Sequence, residues 1–128
     1  MLYIFIDDEA IFNLISKAKL QLLNTQTYAL TFDSGDSALQ YFEDNIQQLK
    51  HEKIVIFLDI NMPEMNGFEF LQEYKNKFAD VLNVVVYMLS SSIAEVDREA
   101  AQQYSMVKQF YSKPFQVSYL EGTGGFNG

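Results

Sequence analysis

The chain has 128 residues, enough for one domain with a sizeable core and too few for a second. Asp plus Glu number 17 against 9 Lys plus Arg, a net charge of −8 that opposes nucleic acid or an anionic membrane as the main partner. Hydrophobic residues at 48% exclude a disordered chain, and the absence of cysteine removes any disulfide framework, thiolate zinc site or Cys nucleophile.

The apolar start Met1–Ile6 has no basic leader before it and is cut short by Asp7-Asp8-Glu9, unlike a signal peptide. No apolar run reaches the roughly 18 residues of a membrane span, so a cytoplasmic protein is expected. Leu2 to Ile6 reads as a first strand. Ile11, Leu14, Ile15, Ala18 and Leu22 then fall at the i, i+3, i+4, i+7 positions of an amphipathic helix with those residues on its core face. Tyr28 to Phe32 is a second strand, and a second helix capped by Ser34 or Asp36 carries Ala38, Leu39, Phe42 and Ile46. Ile54 to Leu58 is a third strand. Phe68, Leu71, Tyr74 and Phe78 mark a third helix, Val84 to Leu89 a fourth strand, Ile93 to Tyr104 a fourth helix capped by Ser91 or Ser92, and Gln109 to Ser112 a fifth strand.

Strict strand–helix alternation with short connections predicts an α/β fold with a parallel sheet, because each return to a parallel strand needs a crossover. In such sheets the chemistry gathers at the carboxyl ends of the strands. Asp7 and Asp8 follow the first strand, Asp59 the third, Ser90 the fourth and Lys113 the fifth, so these groups should meet at one edge. Taken singly, an Asp after a strand is most often a cap or turn residue and a Lys before Pro a solvated one. Three gathered carboxylates repel one another, and a hard divalent cation such as Mg2+, which takes oxygen ligands, relieves that repulsion. His51 lies in a polar stretch away from every strand end and reads as a surface residue. With a cation in place, a free carboxylate can act as a nucleophile toward phosphorus, and a lysine ammonium can neutralise the transferring group.

Asp7-Asp8, then Leu58-Asp59-Ile60-Asn61-Met62-Pro63-Glu64-Met65-Asn66-Gly67, then Met88-Leu89-Ser90-Ser91, then Lys113-Pro114-Phe115 resemble the receiver domain of two-component response regulators, in order and spacing, to about Leu120. The resemblance implies a flavodoxin-like, doubly wound sheet of order 2-1-3-4-5 with helices on both faces. It implies that Asp59 is the phospho-acceptor and that Asp7, Asp8, Asp59 and the backbone carbonyl of Asn61 hold Mg2+. By the same resemblance Lys113 contacts the phosphoryl oxygens, Ser90 is the switch hydroxyl and Phe110 the switch aromatic. The Lys113-Pro114 bond is expected to be cis, aiming the lysine into the site. The implied activity is acceptance of phosphate from a sensor histidine kinase or phosphotransfer protein, with a switch of contacts to an unknown output protein. The resemblance further implies a signalling domain that promotes its own phosphorylation and dephosphorylation, not a free-standing enzyme.

Two stretches depart from the family pattern. The turn before the fifth strand reads Gln103-Tyr104-Ser105-Met106-Val107 without glycine, and the fifth helix has only about one apolar turn, from Phe115, Val117 and Leu120, before a glycine-rich stretch. A receiver domain over 1–120, a short fifth helix and a frayed tail over 121–128 are therefore expected. The alternative is a phosphorylation-independent pseudo-receiver, an interaction module with the same fold. A flavin or nucleotide binder lacks support, since no glycine-rich phosphate loop follows a strand.

Overall fold

The structure, a computed structural model, describes residues 1–23, 28–91 and 94–123. Strands β1 (Leu2–Ile6), β2 (Tyr28–Phe32), β3 (Lys53–Asp59), β4 (Asn83–Ser90) and β5 (Val107–Ser112) form one sheet in the order β2-β1-β3-β4-β5, every pair parallel. The helices are α1 (Ala10–Leu23), α2 (Gly35–Asp44), α3 (Ile46–Leu49), α4 (Gly67–Phe78) and α5 (Glu95–Ala101), followed by a 3-10 helix at Val117–Thr123. This is the expected α/β fold and strand order.

Because side chains alternate across a strand, the apolar runs of β1, β3 and β4 feed two cores at once. Leu2, Ile4, Ile6, Ile54, Ile56 and Leu58 join Phe42 of α2 and Phe70, Leu71, Tyr74 and Phe78 of α4 on one face. Phe42 meets Phe70, Tyr74 and Phe78 edge-on at 6.5, 6.1 and 5.8 Å. On the other face Tyr3, Phe5, Val55, Phe57, Tyr87 and Leu89 pack with Leu20 of α1, Phe115 and Leu120. A row of stacked rings crosses this face: Phe5 on Phe57 at 5.4 Å, Phe57 on Tyr87 at 5.5 Å, Tyr87 on Tyr111 at 5.7 Å and Tyr111 on Tyr119 at 4.0 Å. Phe115 closes it edge-on against Phe5 and Phe57. Large aromatics thus cover β4 and β5 where the chain supplies only a 3-10 turn, matching the expected short fifth helix; that turn takes in residues 121–123 of the expected frayed tail, and residues 124–128 lie outside the described residues.

The first helix turns the opposite way from its apolar pattern. Leu20, Asn13 and Ser16 are its buried residues, while Ile11 (56% exposed), Leu14 (65%), Ile15 (41%) and Leu22 (87%) face outward. Polar anchors set that rotation. Asn13 Nδ2 donates to the carbonyls of Asp7 (2.9 Å) and Phe32 (3.0 Å), and Lys19 Nζ donates to the carbonyl of Phe115 (2.9 Å). The Asp7 carbonyl thereby gains a buried partner, and the Phe32 carbonyl a second one beside the Asp7 N–H.

Helix ends also correct the sequence reading. Ser34 caps α2, its Oγ accepting from Ser37 N at 3.1 Å, but the helix stops at Asp44 and Ile46 opens the separate turn α3. The fourth predicted helix is shorter than 93–104, spanning Glu95–Ala101, and its N-cap is Ala94 rather than a serine. Ser92 and Ile93 lie outside the described residues. In β5 the pairing passes from Val86↔Val107 to Tyr87↔Gln109, leaving Lys108 as one extra residue. That bulge places Phe110, rather than Gln109, beside Met88 and on its face of the sheet.

Candidate functional site

The carboxyl ends of β1, β3, β4 and β5 bring the predicted residues together. Asp7 follows β1 and is buried; its N–H donates to the Phe32 carbonyl at 3.1 Å, and its Oδ1 accepts from Glu9 N at 2.9 Å. Asp8 beside it is exposed. Asp59 ends β3, buried, with Oδ1 accepting from Asn61 N at 3.3 Å. Ser90 ends β4 and is buried, and its carbonyl accepts from Lys113 N at 2.9 Å, tying the ends of β4 and β5 together. Lys113 Nζ lies 2.7 Å from Asp7 Oδ2 and 3.2 Å from Asp59 Oδ2, its side chain 9% exposed. The Lys113-Pro114 bond is cis, as expected.

The central loop is shaped by close packing. Asn66 and Glu69 cap α4 reciprocally, Glu69 N to Asn66 Oδ1 at 2.9 Å and Asn66 N to Glu69 Oε1 at 3.0 Å. Glu64 adopts a φ of 65°, and Met65 folds onto α2, its Sδ 2.7 Å from where a Cβ of Gly35 would stand. Met65 is therefore a packing residue. Asn61 is exposed at the mouth, and His51 is exposed far from it.

Burial first, and then the Asp7 charge, raise the Asp59 carboxyl to about 6, against the opposing pull of Lys113 and the Asn61 N–H. Burial lowers the Lys113 ammonium, but its bonds to Asp7 and Asp59 outweigh that and leave it raised. One ammonium thus shares two buried carboxylates, with Asp8 adjoining. Carboxylate oxygens of Asp7, Asp8 and Asp59 lie within 4.8 Å of one another, an all-oxygen donor set of the kind a hard cation takes.

The model of the response regulator receiver domain matches residues 4–122. The chain belongs to this family. Among solved structures, the receiver is similar to a two-component response regulator from Cytophaga hutchinsonii, at 25% identity over 94% of this chain and 91% of that one, with a TM-score of 0.83. It is also similar to a response regulator receiver protein from Dyadobacter fermentans, at 25% identity over 96% and 94%, with a TM-score of 0.80. A chemotaxis protein from Vibrio cholerae shares the fold at 22% identity over 95% and 93%, with a TM-score of 0.71. No curated protein matches the chain significantly. Among the described residues, no helix is long and apolar enough to cross a membrane.

The last predicted residue, Phe110, is half-buried against the core of the α4 face, with the Arg98 guanidinium 5.7 Å from its ring centre. Two residues passed over in the sequence also belong to this region. Asn13 locks α1 to the ends of β1 and β2, and the Phe12 ring lies 4.7 Å from Lys113 Nζ. A polar residue at i+1 from an aromatic, one turn after an acidic pair, was the available signal for both, but it is common in any helix.

Proposed function

We propose that this receiver accepts a phosphoryl group on Asp59 from a sensor histidine kinase or phosphotransfer protein and thereby switches its contacts with an output protein. The observation carrying this reading is the placement of Lys113 between Asp7 and Asp59 with Asp8 adjoining. Asp7, Asp8, Asp59 and the Asn61 carbonyl would hold Mg2+, which when bound supplies charge neutralisation at the phosphoryl oxygens.

In the transfer, a carboxylate oxygen of Asp59 forms a P–O bond as the donor's P–N bond breaks. The imidazole nitrogen leaves with the electron pair, as neutral imidazole because its other nitrogen carries the proton. Lys113 offers its ammonium to the phosphoryl oxygens, and burial of Asp59 strengthens that attraction. Ser90 moves inward to donate its hydroxyl to the same group, and Phe110 fills the space it leaves, a population shift between two packings.

Incubation with a small-molecule phosphodonor and Mg2+, followed by intact mass, tests the reading. One added phosphoryl group in the wild type and none in Asp59→Asn is expected. No adduct in the wild type would favour the pseudo-receiver.

A further inference from the structure

We propose that Phe12 is a positioning residue for Lys113: its ring holds the ammonium beside Asp59 when a divalent cation claims Asp7. This rests on the phosphoryl-acceptor reading above. Among the described residues, Lys113 Nζ lies near two carboxylates and a ring, Asp7 Oδ2 at 2.7 Å, Asp59 Oδ2 at 3.2 Å and the Phe12 ring centre at 4.7 Å. Its shortest contact is to Asp7, whose carboxylate also belongs to the acidic trio. A hard cation takes carboxylate lone pairs, so metal and ammonium compete for one group and the lysine loses its closest partner. Asp59 is the longer contact, and its charge passes to the phosphoryl group once it has reacted. A lysine head on a flexible four-carbon stem then has little to keep it from water.

An aromatic face attracts the ammonium without offering a lone pair to the metal. The two cations therefore do not compete for Phe12. The ring is also well anchored. Phe12 lies in the first turn of α1, its N–H donating to the Glu9 carbonyl at 3.0 Å, and the next residue, Asn13, bonds the carbonyls of Asp7 and Phe32. Phe12 is thus fixed relative to Asp7, and with only 9% of the Lys113 side chain exposed, the contact is largely shielded from solvent.

Two readouts on the full chain test this, with Phe12→Leu removing the π-face at similar bulk and Phe12→Tyr keeping it. In the first, the ε-methylene protons of Lys113, assigned by Lys113→Arg, are followed by NMR with and without saturating Mg2+. The wild type and Phe12→Tyr should show a ring-current upfield shift that persists after Mg2+ addition, and Phe12→Leu should show none. In the second, phosphoryl uptake from phosphoramidate at saturating Mg2+ should be about three- to tenfold slower in Phe12→Leu and within about twofold of wild type in Phe12→Tyr. The proposal is overturned if the wild-type shift vanishes when Mg2+ binds, or if Phe12→Leu matches Phe12→Tyr in shift and rate. A wild type that takes up no phosphate defeats the acceptor reading, and the NMR readout, which needs no phosphoryl chemistry, still decides the role of Phe12.

Discussion

A Cβ on Gly67 would lie 2.7 Å from the carbonyl oxygen of Asp59 and 3.1 Å from Cα of Ile60, while Gly67 N donates to the Ile60 carbonyl at 2.8 Å. The start of α4 therefore rests directly on the backbone of the proposed acceptor, a contact only glycine allows. Gly67→Ala should destabilise the protein by about 1–3 kcal/mol, the cost of overpacking against backbone, as measured by urea unfolding. A neutral substitution would mean that the loop yields freely.

The outward apolar stripe of α1 leads to an opposite expectation for residues with similar chemistry. Leu20→Ala, which empties a buried position, should cost about 2–5 kcal/mol. Leu14→Ser and Leu22→Gln should each stay within about 0.5 kcal/mol of wild type. Thermal unfolding of the three variants distinguishes this rotation of the helix from the one its periodicity favours.

That helix shows where sequence reasoning reaches its limit. The strands were legible because helices cover both faces of the sheet, which makes β1, β3 and β4 apolar runs with sharp acidic ends at Asp7 and Asp59. The same acidic ends made the site legible, since parallel topology brings strand ends together however far apart they lie in the chain. The face of α1 was not legible, because the bonds from Asn13 and Lys19 to carbonyls on other elements outweigh an apolar stripe, and periodicity carries no information about distant acceptors. The Lys108 bulge, which selects Phe110 over Gln109 for the face of Met88, likewise depends on pairing with β4.

Asp59 gives the metal-free protein a defined pH dependence. Its carboxyl titrates at about 6 in the folded state, above the ordinary 3.8, so its contribution to stability is fully present below pH 3.8 and is lost as pH rises through 6. In EDTA, Asp59→Asn should therefore be more stable than wild type at pH 7.5, and the difference should shrink toward pH 4. Paired denaturation curves at the two pH values check this; a difference that grew on acidification would reverse the assigned sign.

Mg2+ should relieve the same repulsion by another route. Millimolar Mg2+ should raise the melting temperature, because on the proposed reading it binds the folded carboxylate trio and not the unfolded chain. Asp8→Asn, altering the exposed member of the trio, should reduce that gain while leaving the metal-free melting temperature nearly unchanged. An equal gain in both proteins would place the cation elsewhere.

The most direct measurement is to treat the receiver with a small-molecule phosphodonor and Mg2+, reduce the product with borohydride and locate the reduced residue by tandem mass spectrometry. An acyl phosphate on Asp59 is reduced to homoserine at that position, and this single conversion, lost without Mg2+, is the result expected. Conversion at another carboxylate, or none under conditions that saturate the trio, would contradict phosphoryl acceptance at Asp59.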